Sequence, residues 1–154
     1  MNSLEIQIVS SQYDSELLDE ILWEILWKPV ELPRSVRESF KLDGKTIEIM
    51  AKERKTVLGG LVANWISKKK IEIRHIAVLS TVRRKNIGKC LIEKLKETLS
   101  NEGQITISTI SRNSSIDFFS KLGFKAASNG KMEHPSFLKF GITFQKMEIK
   151  VNSL

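Results

Sequence analysis

The densest run of residues able to do chemistry lies at positions 78–89, Val-Leu-Ser-Thr-Val-Arg-Arg-Lys-Asn-Ile-Gly-Lys. A strand-like apolar run ends there, the cations Arg83, Arg84, Lys85 and Lys89 follow, and a helical pattern starts at Ile87. A helix N-terminus carries partial positive charge and unpaired N–H groups, so exposed cations beside it are unfavourable by roughly 0.3–1 kcal/mol each. A bound anion reverses that sign. Asn86 tolerates positive φ, and Gly88 leaves room for a ligand to approach the backbone. The stretch reads as a turn that holds phosphates; a surface turn with merely solvated charges is the alternative. Two nucleotide-binding patterns are excluded. A P-loop needs glycine where Arg83 stands and Ser or Thr where Cys90 stands, and no GxGxxG is present.

The elements that must position this turn follow from periodicity. A strand is expected at 4–9. A helix capped by Asp14 or Ser15 runs to about Trp27, with Leu17, Leu18, Ile21, Leu22, Ile25 and Leu26 on one face, and Pro29 ends it. A short helical piece at 35–40 and a turn at Asp43-Gly44 come next. Strands at 46–51, 56–66 and 71–78 are joined by turns at Glu53-Arg54 and 67–69. A helix at 87–100 presents Ile87, Leu91, Leu95 and Leu99. A strand at 105–110 and a helix at 113–122 follow, the helix closed by Gly123. Strands at 124–128 and within 137–151 finish the chain. This is a mixed α/β sheet with a strand–helix–strand unit near its middle.

The chain has 154 residues, 41% of them hydrophobic, which suits one domain over 1–154 with a real core. The net charge of +7 favours an anionic partner or simple solubility. The basic residues cluster at one turn without interleaved aromatics, so no nucleic-acid partner is expected. No apolar run approaches a membrane span, the N-terminus lacks signal-peptide features, and the single cysteine precludes an intrachain disulfide. A cytoplasmic protein with no metal is expected.

With the turn and the element order in place, a resemblance emerges. The segment IRHIAVLSTVRRKNIGKCLIEKL resembles motif A of the GNAT acetyltransferases, with the core Arg/Gln-x-x-Gly-x-Gly/Ala written here as Arg83-Arg84-Lys85-Asn86-Ile87-Gly88. Asn86 replaces the first glycine. Further on, NSSIDFFSKLGF is similar to the family's second signature, a helix ending in FY-x-K-x-GF, through Ile116, Phe118, Phe119, Lys121, Gly123 and Phe124. The resemblance implies a mostly antiparallel sheet of about seven strands flanked by helices, split between two parallel strands to admit acyl-CoA. It implies that pyrophosphate sits on the backbone of residues 84–89, with Arg83 nearby. The pantetheine arm would pair with Ile76, Ala77 and Val78, and Asn113 and Phe119 would lie against the cofactor. The family's usual asparagine falls at Arg112 when the helix is aligned backwards from Gly123.

The implied reaction is acetyl transfer from acetyl-CoA to a primary amine of a small molecule or peptide, by direct attack on the thioester. A lysine-like amine is neutral in only about one molecule in 2,500 at pH 7, so a base is worth seeking. Glu72 is the first candidate, because some relatives place their glutamate base on this strand; an ordinary solvent-facing glutamate is the alternative. His75 is the second, because its ordinary pKa suits neutral pH. The family's usual tyrosine acid aligns with Phe119, which has no proton to give. That departure motivates a second possibility, a non-catalytic acyl-CoA sensor or interaction module. The acceptor pocket falls near the first two helices and the loop between the last two strands. Trp23 and Trp27 are there either core or aromatic wall, and His134 is a rim candidate. Cys90 reads as a buried structural thiol rather than an acyl carrier. A homodimer is compatible with the sequence.

Overall fold

Two faces of one sheet are buried by different helices, and the parting of two neighbouring strands opens a cleft between them. The computed structural model describes residues 3–40 and 43–152, with the side chains at 40, 83–85 and 128–129 outside the described part. The elements are β1 (Leu4–Ile8), α1 (Gln12–Leu22), β2 (Thr46–Glu53), β3 (Thr56–Ser67), β4 (Lys70–Val78), α2 (Ile87–Thr98), β5 (Ile105–Arg112), α3 (Ile116–Lys121), β6 (Lys125–Met132), α4 (Pro135–Leu138) and β7 (Phe144–Val151). The strands form a 7-stranded sheet in the order β1-β2-β3-β4-β5-β7-β6. Neighbours are antiparallel except β4 and β5, which are parallel and need α2 as their crossover. This is the mixed, mostly antiparallel architecture the sequence implies.

On one face, Ile49, Leu61, Ile71 and Ile73 pack with Leu91 and Leu95 of α2 and with Phe119 and Phe124. On the other, Leu18, Leu22 and Trp27 cover Met50, Val62, Ala77 and Phe137. Burial of these side chains at about 1.5–3 kcal/mol each is what holds the helices to the sheet.

β4 carries the two features that matter most. First, Val62 pairs with His75 and Ala63 with Ile73, so Arg74 is an extra residue in the strand. Such a bulge shifts the side-chain alternation by one. Ile71 and Ile73 face α2 before it, and Ile76 and Val78 do so after it, while Ala77 turns to the α1 side. Second, β4 pairs with β5 only from Lys70↔Thr106 to Ile73↔Thr109. The Thr109 hydroxyl donates to Ile73 O at 3.1 Å at the last rung. Beyond it β4 continues along β3 to Val78, and β5 continues along β7 to Arg112, so the two strands part.

Several local expectations are corrected. Ser11, not Asp14 or Ser15, caps α1, accepting from Asp14 N at 3.1 Å. The helix continues past Leu22 as a π-helical turn, Trp23–Trp27, and then as a 3-10 turn, Lys28–Val30, that contains Pro29. A 3-10 helix, Ser80–Lys85, precedes α2. β5 runs on to Arg112, so residues 113–115 form a 3-10 turn and α3 is short. The segment 135–138 is helical, and β7 begins only at Phe144.

Candidate functional site

The turn after β4 is built as its residue types require. Asn86 adopts the left-handed conformation, φ 57° and ψ 30°, which an amide side chain tolerates. α2 starts directly after it, with Cys90 N donating to Asn86 O at 3.0 Å. The Asn86 side chain makes no cap hydrogen bond, and the first turn of α2 carries no acidic residue. The N–H groups of Ile87, Gly88 and Lys89 therefore have no intrahelical acceptor, as at any helix start. The Ile87 side chain is fully buried in the core. Lys89 is exposed and lies 4.0 Å from Glu93, one turn on. The side chains of Arg83, Arg84 and Lys85 lie outside the described residues.

The reason for glycine at position 88 is different from the expected one. A Cβ there would stand 3.0 Å from the ring of Phe118. The packing of α2 against α3 thus favours glycine at position 88 in its own right.

The parted strands form the walls of a cleft. Leu79 N donates to Leu58 O at 2.8 Å, so by the two-residue alternation of a strand the backbone groups of Ala77 and His75 also face β3. Those of Ile76 and Val78 face the gap left by β5. Of the three backbone positions expected along the pantetheine arm, Ile76 and Val78 are available and Ala77 is turned away.

A cavity of about 320 Å³ lies between the strands, walled by Trp27 and Leu26 from the π-helical turn, His75 and Ile76 from β4, and Phe119 from α3. Ser111 and Arg112 of β5 and Glu133, His134 and Phe137 of the β6–β7 connection complete it. Phe119 is 2% exposed and stacks edge-on between Phe118 and Phe124, with centroids 5.1 and 5.2 Å away. Trp27 is at once core and wall, and meets the His75 ring edge-on at 4.8 Å. Trp23 is not at the wall; its Nε1 donates to Leu32 O at 3.0 Å. His134 is at the rim, with Nδ1 accepting from Ser136 N at 3.2 Å.

The two base candidates have different fates. Glu72 lies in the closed part of β4, opposite Ser108, and does not line the cavity. Its Oε2 is 2.6 Å from Arg74 Nη1, so it anchors that guanidinium. His75 does line the cavity, but its pKa falls to about 3, first through burial and then through the positive charges of Arg37, Arg74 and Arg112. Its imidazole is neutral at pH 7 and weakly basic. Asn113 is committed elsewhere: Nδ2 donates to Gly141 O at 3.1 Å and Oδ1 accepts from Thr143 N at 3.2 Å. Cys90 is half-buried on α2 rather than fully buried.

Sequence reasoning missed Arg112 and Phe137. Arg112 appears in the sequence only as the residue standing where the family's asparagine is expected. In the fold it spans the mouth of the cleft, donating through Nη2 to Leu26 O, with its guanidinium 5.4 Å from the Phe137 centroid.

A sheet parted between two parallel strands, entered beside a helix start and closed below by aromatic rings, defines an acyltransferase-type fold. Residues 14–151 match the acetyltransferase (GNAT) domain model, and the chain belongs to that family. An uncharacterized N-acetyltransferase from Chlorobaculum tepidum is 38% identical over 69 residues, which are 45% of this chain and 43% of that protein. The chain thus spans less than half the length of this curated relative. Among solved structures, Escherichia coli ElaA superposes with a TM-score of 0.77 at 14% identity, covering 94% of this chain and 98% of that one. The E. coli ribosomal-protein-S18-alanine N-acetyltransferase gives 0.74 at 15% identity, with 98% and 96% covered. An aminoglycoside 6'-N-acetyltransferase complexed with coenzyme A gives 0.71 at 17% identity, with 95% and 96% covered. At these identities the structures speak to the fold.

Proposed function

We propose that the protein transfers an acetyl group from acetyl-CoA to a primary amine of a small molecule or peptide by direct attack on the thioester. The observation that carries this reading is the loss of β4–β5 pairing after Ile73↔Thr109, which leaves Ile76 and Val78 facing an open cleft beside the α2 N-terminus. Family membership and the solved relative that holds coenzyme A support it. The first-turn N–H groups of α2 would take the pyrophosphate, and the backbone of Ile76 and Val78 the arm.

The proton economy of the cavity favours a neutral amine. Burial and nearby guanidinium groups disfavour any ammonium, by the same physics that lowers His75. The amine nitrogen then attacks the thioester carbon, the C–S bond breaks, and the proton shed by nitrogen reaches the departing thiolate. Phe119 supplies no proton, but releasing a thiolate of pKa near 8.5 at pH 7 costs only about 2 kcal/mol. His75, held neutral, offers a polar imidazole at the wall.

Melting curves with acetyl-CoA, followed by free-thiol release across a panel of amines, test this. At a hundred times the dissociation constant, acetyl-CoA should stabilise by about 2.7 kcal/mol. Absence of any shift would sink the reading. A shift without thiol release from any amine would favour the second reading, an acyl-CoA sensor, which rests on phenylalanine in the tyrosine position.

A further inference from the structure

Among the described residues, Arg112 is a cavity cation with no paired carboxylate. Arg37 is held by Asp19 and by Glu48 at 3.1 Å, and Arg74 by Glu72 at 2.6 Å. Among the described residues no carboxylate pairs with Arg112, although Glu133 stands on the same cavity rim. Its partners are one backbone oxygen, Leu26 O, and the face of Phe137. Burial pushes its pKa down from the usual arginine range, with nothing acidic to offset the shift. A half-buried guanidinium with one nitrogen committed keeps a planar fork of donors, and that fork matches a carboxylate.

The rest of the cavity fixes what else such a ligand carries. Leu26, Trp27 and Phe144 are apolar walls, and about 320 Å³ is at the small end for a ligand pocket. That volume must also admit the acetyl group. We propose that the acceptor is a small amino-acid-like molecule whose carboxylate sits on Arg112 and whose apolar side chain lies against Trp27 and Phe144. This rests on the acetyl-transfer reading above and names its substrate class.

The test uses matched ligands that lack the amine, so that amine basicity plays no part. The protein saturated with coenzyme A is titrated with 3-phenylpropanoate and with 3-phenylpropanamide, and binding is read by calorimetry. The acid is expected to bind at least tenfold more tightly, about 1.4 kcal/mol. Arg112→Gln should bring the ratio close to one, and Arg112→Lys, which keeps the charge but not the fork, should retain part of it. The acetyl-CoA melting shift in both variants reports that the fold is intact. Equal binding of acid and amide by the native protein, or a preference that survives in Arg112→Gln, overturns the proposal. A second arm compares phenylalanine with phenethylamine as acceptors. Turnover of phenethylamine alone overturns the carboxylate site and leaves acetyl transfer standing. Failure of acetyl-CoA to bind removes the transfer reading, whereas the acid–amide ratio, then measured on the protein alone, still decides the carboxylate site at Arg112.

Discussion

The two halves of β4, Lys-Ile-Glu-Ile and Arg-His-Ile-Ala-Val, have opposite uses. Residues 70–73 are paired on both sides, with β3 and β5, and their apolar members are sealed in the α2-side core. Residues 74–78 are paired on one side only and present Ile76 and Val78 to a cleft. The change takes place within one rung: Thr109 fastens β5 to Ile73 O, and Arg74 is inserted immediately after it. A bulge re-aims side chains and ends pairing, and such devices concentrate beside functional sites. The π-helical turn over Trp23–Trp27 does related work opposite, carrying Trp27 and the Leu26 carbonyl to the cavity wall. Unpaired backbone in the centre of a sheet is costly unless something satisfies it, so the open half of β4 is the part of the molecule that calls for a ligand.

Substitutions on either side of this boundary test the contrast. The largest effect is expected at the start of α2. Gly88→Glu places bulk and negative charge at the start of α2 and should abolish the stabilisation of about 2.7 kcal/mol expected from excess acetyl-CoA. Gly88→Ala meets only Phe118 at 3.0 Å, so it should cost about 1–3 kcal/mol of stability through strain while keeping the acetyl-CoA shift. Loss of the shift in Gly88→Ala would mean that the ligand, not Phe118, occupies that space.

Next comes pH. His75 is depressed to about 3 in the folded protein, against 6.5 unfolded. Both states are neutral above pH 6.5, so its contribution is fully present there. As pH falls from 6.5 towards 3 the unfolded chain takes up the proton first, and stability is lost. At pH 5 the loss is about 2 kcal/mol. Denaturant titrations of native and His75→Gln protein at pH 7 and pH 5 should differ by that amount in their pH dependence. Parallel curves would show that the imidazole is not held neutral.

In the closed half, Glu72→Gln removes the carboxylate that pairs with Arg74 and should cost about 1.5–2 kcal/mol of stability. The midpoint of the pH–rate profile should stay where it is, because Glu72 does not line the cavity. A displaced midpoint would restore Glu72 as the base. The smallest effect belongs to Thr109→Val, which deletes the last fastening between the strands. A loss of about 1 kcal/mol is expected, with faster amide exchange in Lys70–Ile73.

Much of this was legible in the residues. The strand, turn and helix at 71–100 follow from local periodicity, and the need for positive φ at Asn86 follows from the glycine it replaces. What was not legible depends on contacts between distant elements. The bulge at Arg74 leaves no mark, because Ile71 and Ile73 alternate normally up to it. Gly88 looked like ligand clearance because Phe118 comes from another helix. The weak basicity of His75 needs its burial by other elements first, and then the guanidinium groups of Arg37, Arg74 and Arg112, two of which come from other segments. Arg112 needed the parting of β5 from β4 before it could be seen as a cavity cation.

The central claim is that the open half of β4 receives acyl-CoA as a strand-like partner, and residue-resolved amide exchange addresses it directly. Without ligand, the amides of Ile76 and Val78 should exchange much faster than that of Ala77, which faces β3. Saturating acetyl-CoA should slow Ile76 and Val78 and the first turn of α2, and leave Ala77 and the paired residues 70–73 unchanged. Protection that spreads evenly over β4, or that spares Ile76 and Val78, would contradict the account.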